Sequence, residues 1–319
     1  SKVEDFHIQL LEMNETSNED IFSPLRFFFD DDVIIKDGKD RIEYQKIEGS
    51  EEECILLLKK KGENSPSFPV SDLLTIVVNT YQIERQIEAI STLKTMPIGD
   101  HRNLIKLFED KDKVGWDFPT NQQINEWNIL TDENRDGCFE QRDFVRKAIN
   151  TPDFAILEGP PGSGKTTVIL ELICQLIQRG KRILLCGSTH VAIDNVLERL
   201  IEKQPSGKSL IEQFAILPVR IGDAQRISED VSNYQLDNFL VNNPDVEQKL
   251  LLEMSNLVCG TTIGILQHPK FKNRKGYINK KEGRDKYNYY SNEPIIPDFD
   301  YLIIDESSKT TFQEFLVPA

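Results

Sequence analysis

From about residue 140 onward the chain alternates short apolar runs with longer amphipathic ones: "FAILEG" (154–159), "TTVILELICQLIQRG" (166–180), "RILLCG" (182–187), "HVAIDNVLERLIEK" (190–203), "LVCGTT" (257–262) and "YLIIDE" (301–306). Strand-sized runs separated by helical crossovers predict a parallel sheet flanked by helices, and "FAIL" is expected to be one of its strands. Two segments interrupt the rhythm: residues 223–256 read as a helical insertion, and residues 267–297 as a long polar excursion. Upstream the pattern differs. Period-two stretches such as "DVIIKDGKDRIEYQKI" and "CILLLKK", separated by Asp-Gly and Gly-Ser, predict a small β-rich unit over 1–72. From Thr80, a plausible cap, "TYQIERQIEAISTLKTM" places Ile83, Ile87, Ile90 and Leu93 on one helical face until Pro97, and "HRNLIKLFED" follows as a second helix. These predict a packed helical pair over 73–135, bridging to a third unit at 136–319.

Composition narrows the class. With 319 residues the chain exceeds a usual single domain. No apolar run approaches the roughly 18 residues needed to cross a bilayer, and no basic, apolar leader opens the sequence, so the expectation is an intracellular, cytoplasmic protein with no membrane partner. Cys54, Cys138, Cys174, Cys186 and Cys259 are scattered without a Cys-x-x-Cys pair, which assigns neither zinc nor disulfides. The formal charge of -15 argues against indiscriminate polyanion binding, yet leaves room for a local basic groove. Residues 267–297 carry eight Lys or Arg with interleaved Phe271, Tyr277, Tyr287, Tyr289 and Tyr290. Such a segment is either a grip for phosphates and bases or a solvated loop.

The chemistry concentrates in two places. "EGPPGSGKTT" fits G-x-x-x-x-G-K-[ST] through Gly159, Gly164, Lys165 and Thr166, and opens an apolar-faced helix. In the loop of Gly159, Pro160, Pro161, Gly162, Ser163 and Gly164 the glycines would let the available backbone N–H groups curl around nucleotide phosphates, with Thr167 continuing the helix start. Lys165 would neutralise phosphate oxygens and Thr166 would ligand Mg²⁺. About 140 residues later, "YLIIDE" ends a buried strand in two carboxylates. Asp305 would hold Mg²⁺, and Glu306 would position or deprotonate the attacking water. Lys165, Thr166, Asp305 and Glu306 are therefore the candidate catalytic set, with ATP and Mg²⁺ as cofactors.

"FEQRDFVRKAI", "EGPPGSGKTT", "ILLCGSTHVAIDNVLERL", "PVRIG", "NLVCGTT" and "YLIIDESS" stand in the order of the first RecA-like domain of superfamily 1 helicases. They most resemble the branch of the nonsense-mediated-decay helicase and its bacterial relatives, translocases that move 5′ to 3′. The resemblance covers residues 139–319 well and 80–110 weakly. It implies a P-loop RecA-like α/β fold with helices on both faces of a parallel sheet, preceded by a β-rich, barrel-like accessory domain and a helical stalk. It further implies that Gln141 reads the adenine ring, and that Thr189, His190, Thr261 and Thr262 contact the backbone of single-stranded DNA or RNA. Ordinary strand and helix capping is the competing reading of those last residues. Arg220 in "PVRIG" is family-like, with no chemical role assigned by the resemblance.

One departure stands out. Where the family often has Gln after the acidic pair, this chain reads Ser307, Ser308, Lys309. The resemblance also implies a second RecA-like domain, absent from this sequence, that would supply a transition-state cation. The expected activity is ATP-dependent helicase or translocase action, weak in this chain alone. A P-loop ATPase with a signalling or assembly role, as in a defence system, and a nucleotide-dependent scaffold are the alternatives.

Overall fold

The computed structural model describes residues 8–9, 33–37, 42–50, 55–60, 67, 69, 74–78, 81–95, 102–108, 115–269 and 299–319. The chain divides into two compact units, Ser1–Glu84 and Arg85–Ala319. The first is built on an antiparallel sheet of β1 (Ile8–Gln9), β2 (Val33–Asp37), β3 (Ile42–Ser50), β4 (Ile55–Lys60) and β5 (Leu74–Val78), in the order β1-β4-β3-β2-β5. Alternation sets its packing: Ile35 pairs with Tyr44 on one side and Ile76 on the other, and Ile35, Tyr44 and Leu58 are buried. The fifth strand lies just past residue 72. Cys54 and most of the basic excursion at 267–297 fall outside the described residues.

Helix α1 (Tyr81–Thr95) ends before Pro97 as the sequence predicts, and α2 (Arg102–Lys106) follows. Among the described residues, most of the apolar face predicted to pack is exposed. Ile83, Ile87 and Ile90 are 56%, 57% and 41% exposed. Periodicity marks a face able to be buried; it does not supply the surface that buries it.

In the second unit β6 (Ile183–Gly187), β7 (Pro218–Arg220), β8 (Leu257–Thr261) and β9 (Tyr301–Asp305) form a parallel sheet in the order β7-β8-β6-β9. Strand alternation sends Ile183, Leu185, Leu257 and Cys259 to one buried cluster. There they meet α3 (Cys138–Asn150), α4 (Lys165–Gln178), α5 (His190–Ile201) and α6 (Leu210–Phe214). Leu184, Cys186 and Val258 face the other cluster, with Leu236 of α7 (Leu236–Asn242) and Leu252 of α8 (Gln248–Met254). Residues 223–256 are helical as expected, in two 3-10 turns followed by α7 and α8. The short α9 (Phe312–Phe315) closes the described chain. Burial raises the thiol pKa of Cys174, Cys186 and Cys259, the last to about 12, so all three behave as small hydrophobes. No helix among the described residues is long and apolar enough to cross a membrane.

One predicted strand is corrected. Phe154–Leu157 carries no strand pairing, and Ile156 is 87% exposed. A strand exists only through a ladder partner. The sheet ends at β9 on one side and at β7 on the other, and no described strand reaches this run.

The position of α4 is secured by a buried carboxylate. Glu171, fully buried, accepts backbone N–H groups of Asn128, Ile129 (2.6 Å) and Leu130 (3.0 Å), together with Gln175 Nε2 (2.7 Å). Arg142 of α3 binds the carbonyls of Leu130 and Thr131 and stacks over Trp127. The 126–131 segment is thus strapped across both helices, and α4 carries the phosphate loop at its N-terminus. Glu171→Leu preserves size while orphaning three backbone donors. We expect it to lower the stability of the chain by roughly 3 kcal/mol in urea unfolding, since each buried unsatisfied group costs about 1–3 kcal/mol. A loss under about 1 kcal/mol would show that the strap does not hold the helix.

Candidate nucleotide and nucleic-acid site

The phosphate loop turns where glycine permits it. Gly162 and Gly164 sit at φ 80° and 82°, the left-handed region that a side chain disfavours. A Cβ on Gly159 would lie 2.6 Å from Ser163 Oγ, and one on Gly164 would lie 2.5 Å from Gln141 Nε2, so a side chain at either position would displace that neighbour. Gly164 caps α4 with no side-chain hydrogen bond, which leaves N–H groups of the first turn free to meet an anion. Lys165 folds back: its Nζ donates to the carbonyls of Gly159 (2.7 Å) and Pro160 (2.9 Å). Pro161, Gly162 and Ser163 are exposed, and Thr166 and Thr167 half-buried. Thr167 Oγ1 accepts from Arg199 of α5 (3.3 Å).

Gln141, on the first turn of α3, is buried against this loop. Its Nε2 donates to Ser163 O at 2.8 Å, and its Oε1 accepts from Arg135. The amide is therefore engaged with the loop itself, and one N–H remains for a base edge. Arg135, from the turn before α3, was not singled out by the sequence because its partner is fixed only by the fold.

The acidic pair sits where β9 ends. Asp305 pairs in register with Gly187 of β6, half-buried, and its Oδ1 accepts the N–H of Glu306 (2.8 Å). Burial raises its pKa, the Glu306 charge adds to that, and the Glu306 N–H and the Lys165 ammonium oppose it. Glu306 stands at φ 52°, ψ 37°, a left-handed conformation that costs a non-glycine residue on the order of 1 kcal/mol or more and recurs at functional sites. Its Oε2 is 3.0 Å from Lys309 Nζ across a 3-10 turn, Ser307–Lys309.

These features suit a nucleotide with its metal. Lys165 is a cation held on the carbonyls of its own loop, Asp305 is a half-buried carboxylate at the end of β9, and Thr166 lies in the first turn of α4. The hydroxyl of Ser188, directly after β6, is buried without a hydrogen-bond partner among the described residues. Among the described residues no group of three or more His, Cys, Asp or Glu converges as a metal cage. A Mg²⁺ ion held by one or two protein oxygens plus phosphate oxygens needs no such cage.

The four residues expected on a nucleic-acid strand follow the neighbouring strand ends. Thr189 N-caps α5, its Oγ1 accepting from Ala192 N (3.3 Å). Thr261 Oγ1 accepts from Gly264 N (2.9 Å). Thr262 is 1% exposed, and its hydroxyl donates to the Glu314 carboxylate. His190, half-buried at the start of α5, is joined through Nδ1 to the fully buried Arg220. All three threonine hydroxyls are thus engaged locally. A separate cleft of about 670 Å³, between α2 and the end of α3, is lined by Trp116, Phe144, Phe154 and Ile156 and by none of the predicted site residues.

Comparison with known proteins agrees with this geometry. A family model described as an AAA domain matches residues 139–293. The chain is 29% identical over 164 residues to the DNA polymerase alpha-associated DNA helicase A of Schizosaccharomyces pombe, covering 51% of this chain and 23% of that protein. It is 28% identical over 171 residues to the mouse DNA-binding protein SMUBP-2, covering 54% and 15%. The Saccharomyces cerevisiae DNA polymerase alpha-associated DNA helicase A aligns over 309 residues at 24% identity, covering 85% of this chain and 44% of that protein. The chain spans less than half the length of each of these relatives. The parallel sheet, the glycine-rich phosphate loop and these matches together make the chain similar to superfamily 1 helicases, with the AAA-domain match over residues 139–293.

Proposed function

We propose that the chain is an ATP-dependent motor module of a superfamily 1 helicase or translocase, which binds ATP with Mg²⁺ and a single-stranded nucleic acid and couples hydrolysis to movement along it. The observation that carries this reading is the shared scaffold: the loop opens α4, which packs on the parallel sheet, and the acidic pair ends β9 of that same sheet. Lys165 would exchange its carbonyl partners for phosphate oxygens, and Thr166 and Asp305 would hold the metal. Mg²⁺ would supply neutralisation of charge developing on the phosphates. Glu306 would orient water and accept its proton, once its carboxylate is released from Lys309. Gln141 would turn its remaining N–H to the adenine. Domain roles follow the same reading: a β-rich accessory unit over 1–72, a stalk over 73–135 and the motor domain over 136–319. A second RecA-like domain would bring the remaining transition-state cation. The longer relatives support this, each being more than twice the length that the chain matches.

A second reading is favoured by one specific observation, the local engagement of Thr189, Thr261 and Thr262 hydroxyls. It is a P-loop ATPase of signalling or assembly type without a nucleic-acid track. Filter binding separates the two. An affinity for oligo(dT) or oligo(U) that changes with bound nucleotide supports the motor, and no affinity in any nucleotide state supports the alternative.

Glu306→Gln keeps shape and removes the base. We expect unchanged ATP affinity by equilibrium titration and a turnover at least about 100-fold lower than wild type. Turnover within threefold of wild type would remove Glu306 from the chemistry. Asp305 yields a stability prediction. Its folded-state pKa is raised, so the native chain binds this proton more tightly than the unfolded chain. Stability therefore falls as pH climbs from the ordinary carboxylate pKa through the folded one, and the ionised form at pH 7 is a net cost. Asp305→Asn should make the nucleotide-free chain more stable at pH 7 and flatten that decline, while abolishing ATP turnover. Destabilisation at pH 7 would mean that the carboxylate is a structural ligand of the loop.

A further inference from the structure

Arg220 is the largest fully buried side chain in the molecule's described part, and the nucleotide chemistry above makes no use of it. It rises from β7 beneath the first turns of α5. Its Nε donates to Asp194 Oδ1 at 2.8 Å, its NH1 to Ile221 O at 2.8 Å, and its NH2 lies 3.0 Å from His190 Nδ1. Asp194 is held in turn by the N–H of Ser228 on its second oxygen (3.0 Å). His190 and Asp194, one helical turn apart on α5, thus meet one guanidinium through its terminal NH2 and its Nε respectively. Gly222 packs over the junction: a Cβ there would lie 3.5 Å from Arg220 NH1 and 3.6 Å from His190 Cε1.

The chemistry of this contact has one solution. A guanidinium only donates, so Nδ1 of His190 must accept, and the imidazole proton must sit on Nε2. A second proton would have to sit on Nδ1, against the Arg220 N–H and next to its positive charge. Burial and then Arg220 lower the His190 pKa, Arg226 lowers it further, and Asp194 and Asp223 oppose them.

We propose that Arg220 is a positioning residue for the strand-binding edge, fixing His190 as a neutral imidazole that offers its Nε2–H to an oxygen of the single-stranded backbone. This rests on the motor reading, in which the loop after β6 touches the strand. The function of the lock is a directional contact that carries no charge. A charged contact would release counterions and steepen the salt dependence of single-strand affinity by about 0.7 in log–log slope. A locked neutral donor leaves that slope the same on both sides of the ordinary histidine pKa of about 6.5.

The test has two parts on the intact chain. Long-range proton–nitrogen NMR of histidine-labelled protein, with His190 assigned by the signal lost in His190→Gln, should show a bare Nδ1 and a protonated Nε2 from pH 6 to pH 8. A protonated Nδ1, or an imidazolium at pH 6, overturns the proposal without needing any Arg220 variant to fold. Affinity for oligo(dT) and oligo(U) across salt concentrations should give wild-type slopes that are equal at pH 6 and pH 8, and His190→Ala should bind about tenfold more weakly. In Arg220→Met the slope at pH 6 should steepen by about 0.7 relative to pH 8, and Arg220→Met/His190→Ala should lose that difference. Wild-type binding unaltered by His190→Ala overturns this inference alone. Absence of wild-type binding to either oligonucleotide overturns the motor reading beneath it.

Discussion

The parallel pairing of β6 with β8 on one side and β9 on the other is the constraint on which the rest of the second unit depends. Its register sets Gly187 beside both Thr261 and Asp305, so three strands end in one row. Part of the candidate chemistry leaves from that row: Ser188 to His190 after β6, Thr262 after β8, Glu306 to Lys309 after β9. A slip of one residue in β9 would turn Asp305 to the other face of the sheet. The apolar content of β6, buried at all five positions, resists such a slip, because both faces of the strand are already packed.

Most of the polar groups along this edge satisfy one another, the Ser188 hydroxyl excepted. Lys165 holds the carbonyls of its own loop, Gln141 bridges Arg135 and the loop, Lys309 holds Glu306, and the threonines cap their local turns. Binding at such a site is an exchange of partners, so its free energy is the difference between internal contacts and contacts with the ligand. That favours ligands able to replace several contacts together, which a triphosphate with its metal does and a single anion does not. Strain adds to the bias. Glu306 is held left-handed at the end of β9, and a contact that improves with its present orientation needs no further backbone change.

Much of this was legible in the sequence where local spacing carries the physics. Gly159, Gly164, Lys165 and Thr166 are set by the backbone needs of a phosphate cradle, and the apolar run before Asp305 and Glu306 marks a buried strand end. The two-faced packing of the sheet followed from continuous apolar strands. Features that depend on distant partners were not legible. Arg220 shows no pattern in "PVRIG", because its meaning comes from Asp194 and His190 on another element. "FAIL" has the composition of a strand, yet pairing is a tertiary property, and its described surroundings supply none. The exposed stripe of Ile83, Ile87 and Ile90 teaches the same lesson for helices. Glu171 did leave a signal, since a lone carboxylate inside the otherwise apolar "VILELIC" requires buried donors.

The central claim is that the loop at 159–167 and the strand end at 303–309 form one nucleotide site by exchanging internal partners. Hydrogen–deuterium exchange of the chain with and without a non-hydrolysable ATP analogue and Mg²⁺ tests it most directly. The account predicts slowed exchange in both segments together, with little change along the cleft at 150–156. Protection of the cleft with none at 159–167, or protection of the loop with none at the end of β9, would contradict it.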